Sequence, residues 1–309
     1  MNEFLSFPAG RASRIQASDI WRELRPKQLT KNLIIFVAFV FALGDKHQSI
    51  ALTGFWTACL AFVLFSVTTS GIYIFNDIRD IVLDRAHPVK SQRPIAAGRM
   101  PLPLAWSLMG ILLCAGLAGS WLFSIPFGLV VTAYVILQLF YTLWLKHVSL
   151  VDVFVIAAGF VLRVIAGGIA VNVTLSPWLL VCTFLMALFL ALCKRRHEKR
   201  LTAEMRNAES RPSLMSSDER LLDQLIAIIA GAVIVVYAIY TQWPETVMKF
   251  QTNRLALTIP FVIFGLFRYL DLVYRQSKGD QPEYILLTDI PLMIAIVLFG
   301  LSVLFIIVI

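Results

Sequence analysis

The sequence predicts an all-α polytopic membrane protein, with nine transmembrane helices bundled around a cavity that faces the cytoplasm. Three observations predict it. Of 309 residues, 59% are hydrophobic and only 15% charged, with a mean hydropathy of +0.78, and a soluble core of this length could not hide so much apolar surface. Nine apolar runs are long enough, or nearly so, to cross a hydrocarbon layer that takes about 20 helical residues. The basic residues gather in alternate loops, as the positive-inside pattern requires.

Residues 1–27 are polar and basic and lack the short apolar core and small-residue cleavage site of a signal peptide, so they are expected on the cytoplasmic membrane surface. The apolar runs follow at 28–44, the shortest, then 52–75, 102–122, 126–145, 150–171, 175–193, 222–242, 254–274 and 288–309. Pro26, Pro94, Pro101, Pro103, Pro177, Pro244 and Pro282 lie at their boundaries, where a missing amide donor costs least. The loops after the second, fourth, sixth and eighth runs carry most of the Lys and Arg, which puts the N-terminus and those loops inside and the C-terminus outside. The polar loop 194–221 is the longest, and its charge and Ser content suit a mobile segment. Runs two and six both end in charged cytoplasmic loops, as two related halves would. No separate soluble domain fits, so 1–309 reads as one membrane domain.

The formal charge of +8 therefore points to anionic lipid and phosphate substrates, and no nucleic-acid partner is expected. Cys59, Cys114, Cys182 and Cys193 show no CxxC pair and no His spacing for zinc, so no disulfide framework or zinc site is implied. The sequence leaves monomer and homo-oligomer equally open.

The chemistry concentrates at Asn76–Asp84. At 100° per residue, Asp77, Asp80 and Asp84 fall within about 60° of one another, so three carboxylates share one helix face. Such acids repel unless a cation neutralises them, and oxygen-only ligands suit Mg²⁺, which also binds substrate phosphates. Arg85, Lys90 and Arg93 follow at once and could hold the remaining oxygens of a diphosphate. A solvated acidic helix end with a basic loop is the plainer account, but acids at the mouth of an apolar helix are seldom idle.

A second set opens the fifth run, where Lys146 precedes Asp152, Gly159 and Arg163. Asp152 and Arg163 lie on one helix face about 16 Å apart along the axis, too far to pair directly, so a polar cavity is expected between them. Pairing with neighbouring helices to hold the bundle is the alternative. Lys27 and Lys31 stand at i, i+4 spacing before the first span, suited to an anion or to membrane anchoring. Lys194 and Arg195 form a further basic cluster, and Arg268 lies well inside the eighth run.

The NDxxDxxxD pattern of Asn76–Asp84, with nine spans and a second Asp opening an apolar segment, resembles the UbiA superfamily of intramembrane prenyltransferases. LRPKQLTKN at 24–32, NDIRDIVLDRAHPVKSQRPIAAG at 76–98, LWLKHVSLVDVFVIAAGFVLRVIAGG at 143–168, ALFLALCKRR at 187–196 and PFVIFGLFRYLDLVYR at 260–275 look like its decaprenyl-phosphate phosphoribosyltransferase branch. The resemblance implies a UbiA-type bundle and a pentosyl transfer. Phosphoribosyl diphosphate loses diphosphate, a polyprenyl phosphate oxygen attacks the anomeric carbon, and the product is a precursor of cell-envelope arabinose donors. It further implies an inner-membrane enzyme with Asn76, Asp77, Asp80 and Asp84 catalytic, the three Asp binding Mg²⁺. Lys27, Lys31, Arg85, Lys90, Arg93, Lys146, Asp152, Arg163, Lys194, Arg195 and Arg268 would bind substrate. Superfamily prenyltransferases carry DxxxD at the fifth span, whereas here position 156 is Ile, which disfavours a prenyl diphosphate. A UbiA-type transfer of a prenyl chain to an aromatic acceptor is the alternative. A lipid or solute transporter is a distant one, because transporters bind near the bilayer midplane.

Overall fold

The computed structural model describes residues 16–44, 52–204, 219–275, 285 and 288–308. Pro282, Arg206 and Arg211 lie outside these residues. The described part carries nine helices long and apolar enough to cross a membrane, as the run lengths predict. The chain is a multi-span membrane protein.

The first crossing differs from its expected form. It extends back to Ala17 and is built in pieces: α1 (Ala17–Glu23), α2 (Pro26–Leu29), a 3-10 turn (Thr30–Ile34) and α3 (Ile35–Leu43). Pro26 disfavours a helical residue before it, and Arg25 takes the left-handed conformation with φ 54°, so α1 and α2 meet at a corner. Lys27 lies in α2 and Lys31 in the 3-10 turn, so their i, i+4 spacing does not fall on one continuous α-helix.

The remaining spans are α4 (Leu52–Arg79), continued by the short α5 (Ile81–Ala86), α6 (Leu102–Phe123), α7 (Ile125–Leu143), α8 (Val151–Ala170) and α9 (Pro177–Glu204). After these come α10 (Glu219–Gln242), the short α11 (Pro244–Phe250), α12 (Ile259–Arg275) and α13 (Ile290–Val308). Pro26, Pro177 and Pro244 are first residues of helices, where no amide is needed. Ser124 caps α7 by accepting from the Phe127 amide at 3.2 Å.

α9 runs through Lys194–Arg200 to Glu204, so the first third of the expected polar loop is helix, and residues 205–218 lie outside the described part. Charge alone does not end a helix when its side chains find partners. Lys194 and Glu198 pair one turn apart at 4.0 Å, and Arg196 reaches Asp223 on α10 at 2.5 Å.

The helices pack in a ring. α4 lies on α6, α6 on α7, α7 on α8, α8 on α9, α9 on α10, α10 on α12 and α12 on α13, and α13 closes the ring on α3. Small residues permit the closest crossings: a Cβ on Gly167 of α8 would collide with the Ile35 carbonyl, and one on Gly116 of α6 with Thr68. One apolar core joins Val153, Phe189, Ile226 and Leu272. A second joins Ile35, Phe65, Phe127 and Tyr134. A third fixes α1 and the loop after α5 against α4 and α6, through Ile20, Leu24, Ile74, Ile78, Ile95 and Met100.

Candidate active site

The acids of the NDxxDxxxD stretch stand where α4 gives way to α5. The helix is interrupted at Asp80, with φ −96° and ψ 10°. The Asp80 amide still bonds to the Asn76 carbonyl at 2.9 Å and the Asp84 amide to that of Asp80 at 2.8 Å. The helical spacing survives the joint, and Asp77, Asp80 and Asp84 are all buried.

Each carboxylate already faces a base. Asp77 accepts from Arg25 Nε at 3.1 Å and from Arg25 Nη2. The corner at Arg25 turns its side chain back onto α4, where the guanidinium also lies over the Tyr73 ring at 5.3 Å. Arg93 Nη1 donates to Asp77 Oδ1 at 2.9 Å and to Asp84 Oδ2 at 2.5 Å. The turn that carries Arg93 is internally hydrogen-bonded: Gly98 adopts φ 73°, which favours glycine, and the Pro94 carbonyl accepts from the Arg99 and Met100 amides at 2.9 and 3.1 Å. Burial raises the Asp84 carboxyl pKa, and Arg93 opposes that shift. Asp80 pairs with Lys146 Nζ, from the turn between α7 and α8. Asn76 Oδ1 accepts from Thr142 at 3.4 Å.

Two of the bases expected from the sequence, Arg93 and Lys146, are thus brought to the acids. Arg85 is exposed and donates to the Ala96 carbonyl at 3.1 Å, bracing the loop. Lys90 is half-buried, Lys27 exposed and Lys31 half-buried.

Asp152 and Arg163, between which a polar cavity is expected, each meet partners on other elements. Asp152 meets Arg195 Nε of α9 at 2.6 Å without the alignment of a hydrogen bond. Arg195 also pairs with Glu198 and reaches Tyr141 at 3.4 Å. Arg163, only 4% exposed, donates to Asn32 at 2.7 Å, the Gly159 carbonyl at 2.8 Å and Tyr134 at 2.8 Å. Aromatic rings of Phe65 and Tyr134 lie 5.3 and 4.7 Å from its guanidinium carbon. Its donors are engaged by neutral groups of three elements, so it ties the 3-10 turn, α7 and α8 together. Arg268 likewise binds Asp289 at 2.8 Å and Asp271 at 3.3 Å, joining α12 to the start of α13.

Two residues of this site escape sequence reasoning. Arg25 carries no local signal beyond its place before Pro26. Glu23, 1% exposed, sits in a segment that reads as membrane surface, yet its carboxyl lies against that of Asp77.

Among the described residues no three acidic, His or Cys side chains stand together as a metal cage. Magnesium is commonly held by one or two carboxylates with waters and phosphates, so a cage is not required. The donors here are all carboxylate oxygens, and a cationic nitrogen of Arg93 already bridges Asp77 and Asp84. The residues therefore suit a hard divalent cation.

The profile of the UbiA prenyltransferase family matches residues 33–288. A decaprenyl-phosphate phosphoribosyltransferase of Mycolicibacterium smegmatis is 35% identical over 279 residues, covering 88% of this chain and 87% of that one. One from Corynebacterium glutamicum is 32% identical, covering 88% of this chain and 82% of that one. The structure of a UbiA homolog from Archaeoglobus fulgidus bound to GPP and Mg²⁺ superposes with a TM-score of 0.70 at 18% identity, covering 94% of this chain and 99% of that one.

Proposed function

This chain belongs to the UbiA prenyltransferase family, and from that premise we propose that it moves 5-phosphoribose from phosphoribosyl diphosphate to a polyprenyl phosphate such as decaprenyl phosphate. It is a transferase, as its relatives are. The observation that carries the finer reading is the meeting of Asp77, Asp80 and Asp84 with Arg25, Arg93 and Lys146. Acids and bases interleaved in this way suit a substrate that brings phosphate oxygens and a divalent cation together.

Asp77 and Asp84, with Asp80, would hold Mg²⁺, which when bound neutralises charge on the departing diphosphate. Arg25, Arg93 and Lys146 then turn from the carboxylates to phosphate oxygens. The ribose C1–O bond to diphosphate breaks, and a C1–O bond to the lipid phosphate forms. The carboxylates favour the oxocarbenium-like character of C1 between the two events. The acceptor is already an anion, so no general base is needed, and its positioning supplies much of the rate. Lys31 and Lys90 are further candidates for phosphate contacts, on the same side of the membrane as the acids.

In this reading the N-terminus and the active site face the cytoplasm, and the lipid tail leaves sideways between helices into the bilayer. Transfer of a prenyl chain to an aromatic acceptor is less well supported, because Asp152 has no partner Asp at position 156 and is engaged by Arg195. The test uses purified protein in detergent. Labelled phosphoribosyl diphosphate passing into the lipid phase with decaprenyl phosphate is the expected result. Consumption of a prenyl diphosphate with an aromatic acid instead would overturn the proposal.

A further inference from the structure

Glu23 ends α1, and its side chain is buried beside the acids rather than turned to solvent. Several contacts hold α1 there. Arg99 Nε donates to Asp19 at 2.9 Å, Ser70 donates to the Leu24 carbonyl at 3.1 Å, and Ile20 and Leu24 pack into the core beside Ile74 and Ile78. The position of Glu23 is therefore set by the fold and not by chance rotation of a loose terminus.

Its carboxyl lies against Asp77, with Arg25 and Arg93 nearby. Both guanidinium groups donate to Asp77, and Arg93 also to Asp84. Glu23 Oε1 has no hydrogen-bond partner among the described residues. Glu23 and Asp77 thus stand together beside two guanidinium groups, and one buried oxygen of Glu23 is left over. An orphaned carboxylate oxygen beside a second carboxylate is costly unless a cation or a shared proton lies between them. Two carboxylates supplemented by water and phosphate oxygens are an ordinary magnesium set.

We propose that Glu23 is a further ligand of the divalent cation at Asp77, supplied by the N-terminal helix and lying outside the NDxxDxxxD stretch. The inference rests on the functional reading above, in requiring a metal at those acids. It gives α1 a part in the site: the helix delivers a carboxylate from one side while α4 delivers Asp77 from the other.

The test measures Mn²⁺ binding by electron paramagnetic resonance on the full chain in detergent, with inorganic diphosphate present. Wild type is expected to bind, and both Asp77→Asn and Glu23→Gln to weaken binding about 10- to 100-fold, the scale on which support around a metal usually acts. Gln keeps the shape and removes the charge. If Glu23→Gln binds within twofold of wild type while Asp77→Asn loses the ion, Glu23 is a proton-sharing neighbour and the inference fails, with the functional reading intact. If wild type binds no Mn²⁺, both fail together. Should Glu23→Gln not fold, Glu23→Asp, which retains charge but withdraws it by one methylene, is expected to weaken binding, and unchanged affinity overturns the proposal.

Discussion

Lys146 reaches Asp80 from the turn between α7 and α8, closing an ion pair that is 3% exposed on the lysine side and 10% on the aspartate side. It connects the joint of α4 and α5 to the neighbouring pair of helices. Removing one member of such a buried pair leaves an uncompensated charge at a cost of about 3–5 kcal/mol. Lys146→Met is therefore expected to lower the thermal midpoint markedly. Asp80→Asn combined with Lys146→Met is expected to recover most of that loss but none of the turnover. Recovery of both would mean the pair is only structural.

The proposed role of Asp77, Asp80 and Asp84 in holding a divalent cation makes turnover depend on that cation. Chelation is expected to abolish phosphoribosyl transfer and Mg²⁺ or Mn²⁺ to restore it, since both accept oxygen ligands. Asp77→Asn should reduce turnover at least about a hundredfold, the scale of losing a charge-stabilising group at a transition state. Full activity in chelator would remove the cation from the mechanism.

Arg163 is expected to behave as a brace. Arg163→Lys loses the planar fork that serves Asn32, Gly159 and Tyr134, and a lysine cannot replace it. The thermal midpoint should fall, while the KM for phosphoribosyl diphosphate of the folded fraction stays within twofold. Tyr134→Phe removes one of these bonds and should cost about 1 kcal/mol. A tenfold rise in KM at unchanged stability would return Arg163 to the substrate.

Close helix crossings give a contrast between glycines. Gly167→Ala places a methyl group into the Ile35 carbonyl and is expected to destabilise by about 1–3 kcal/mol, the usual range for overpacking. Gly231→Ala meets open space on α10 and should be neutral or stabilising by up to about 1 kcal/mol from helix propensity. Equal effects in a thermal-shift series would show that the approach of α8 to Ile35 does not depend on a missing side chain.

The nine spans were legible because the bilayer demands long apolar runs, whatever their neighbours. Asp77, Asp80 and Asp84 were legible for a local reason: helical spacing puts them on one face. Glu23 and Arg25 were not, because their importance arises from a corner that folds α1 back onto α4, which no period in the sequence records. The stacking expected of Lys27 and Lys31 assumed a continuous α-helix, and the 3-10 turn at Thr30–Ile34 removes that assumption. Asp152 and Arg163 share a face, but the partners they meet, Arg195, Asn32 and Tyr134, lie far away in sequence. For α9, the helix outlasts its apolar run because Glu198 and Asp223 answer its basic residues.

The packing of α13 on α3 has a consequence for synthesis. Phe41 joins Phe250, Val303 and Ile307 in one cluster, and Gly44 leaves room for Ile307 to approach. Because α3 is made well before α13, one flank of α3 stays open to lipid until α13 is inserted. A nascent chain halted before residue 290 would hold every acid and base of the mouth, yet its first crossing would still lack the neighbour that seats it.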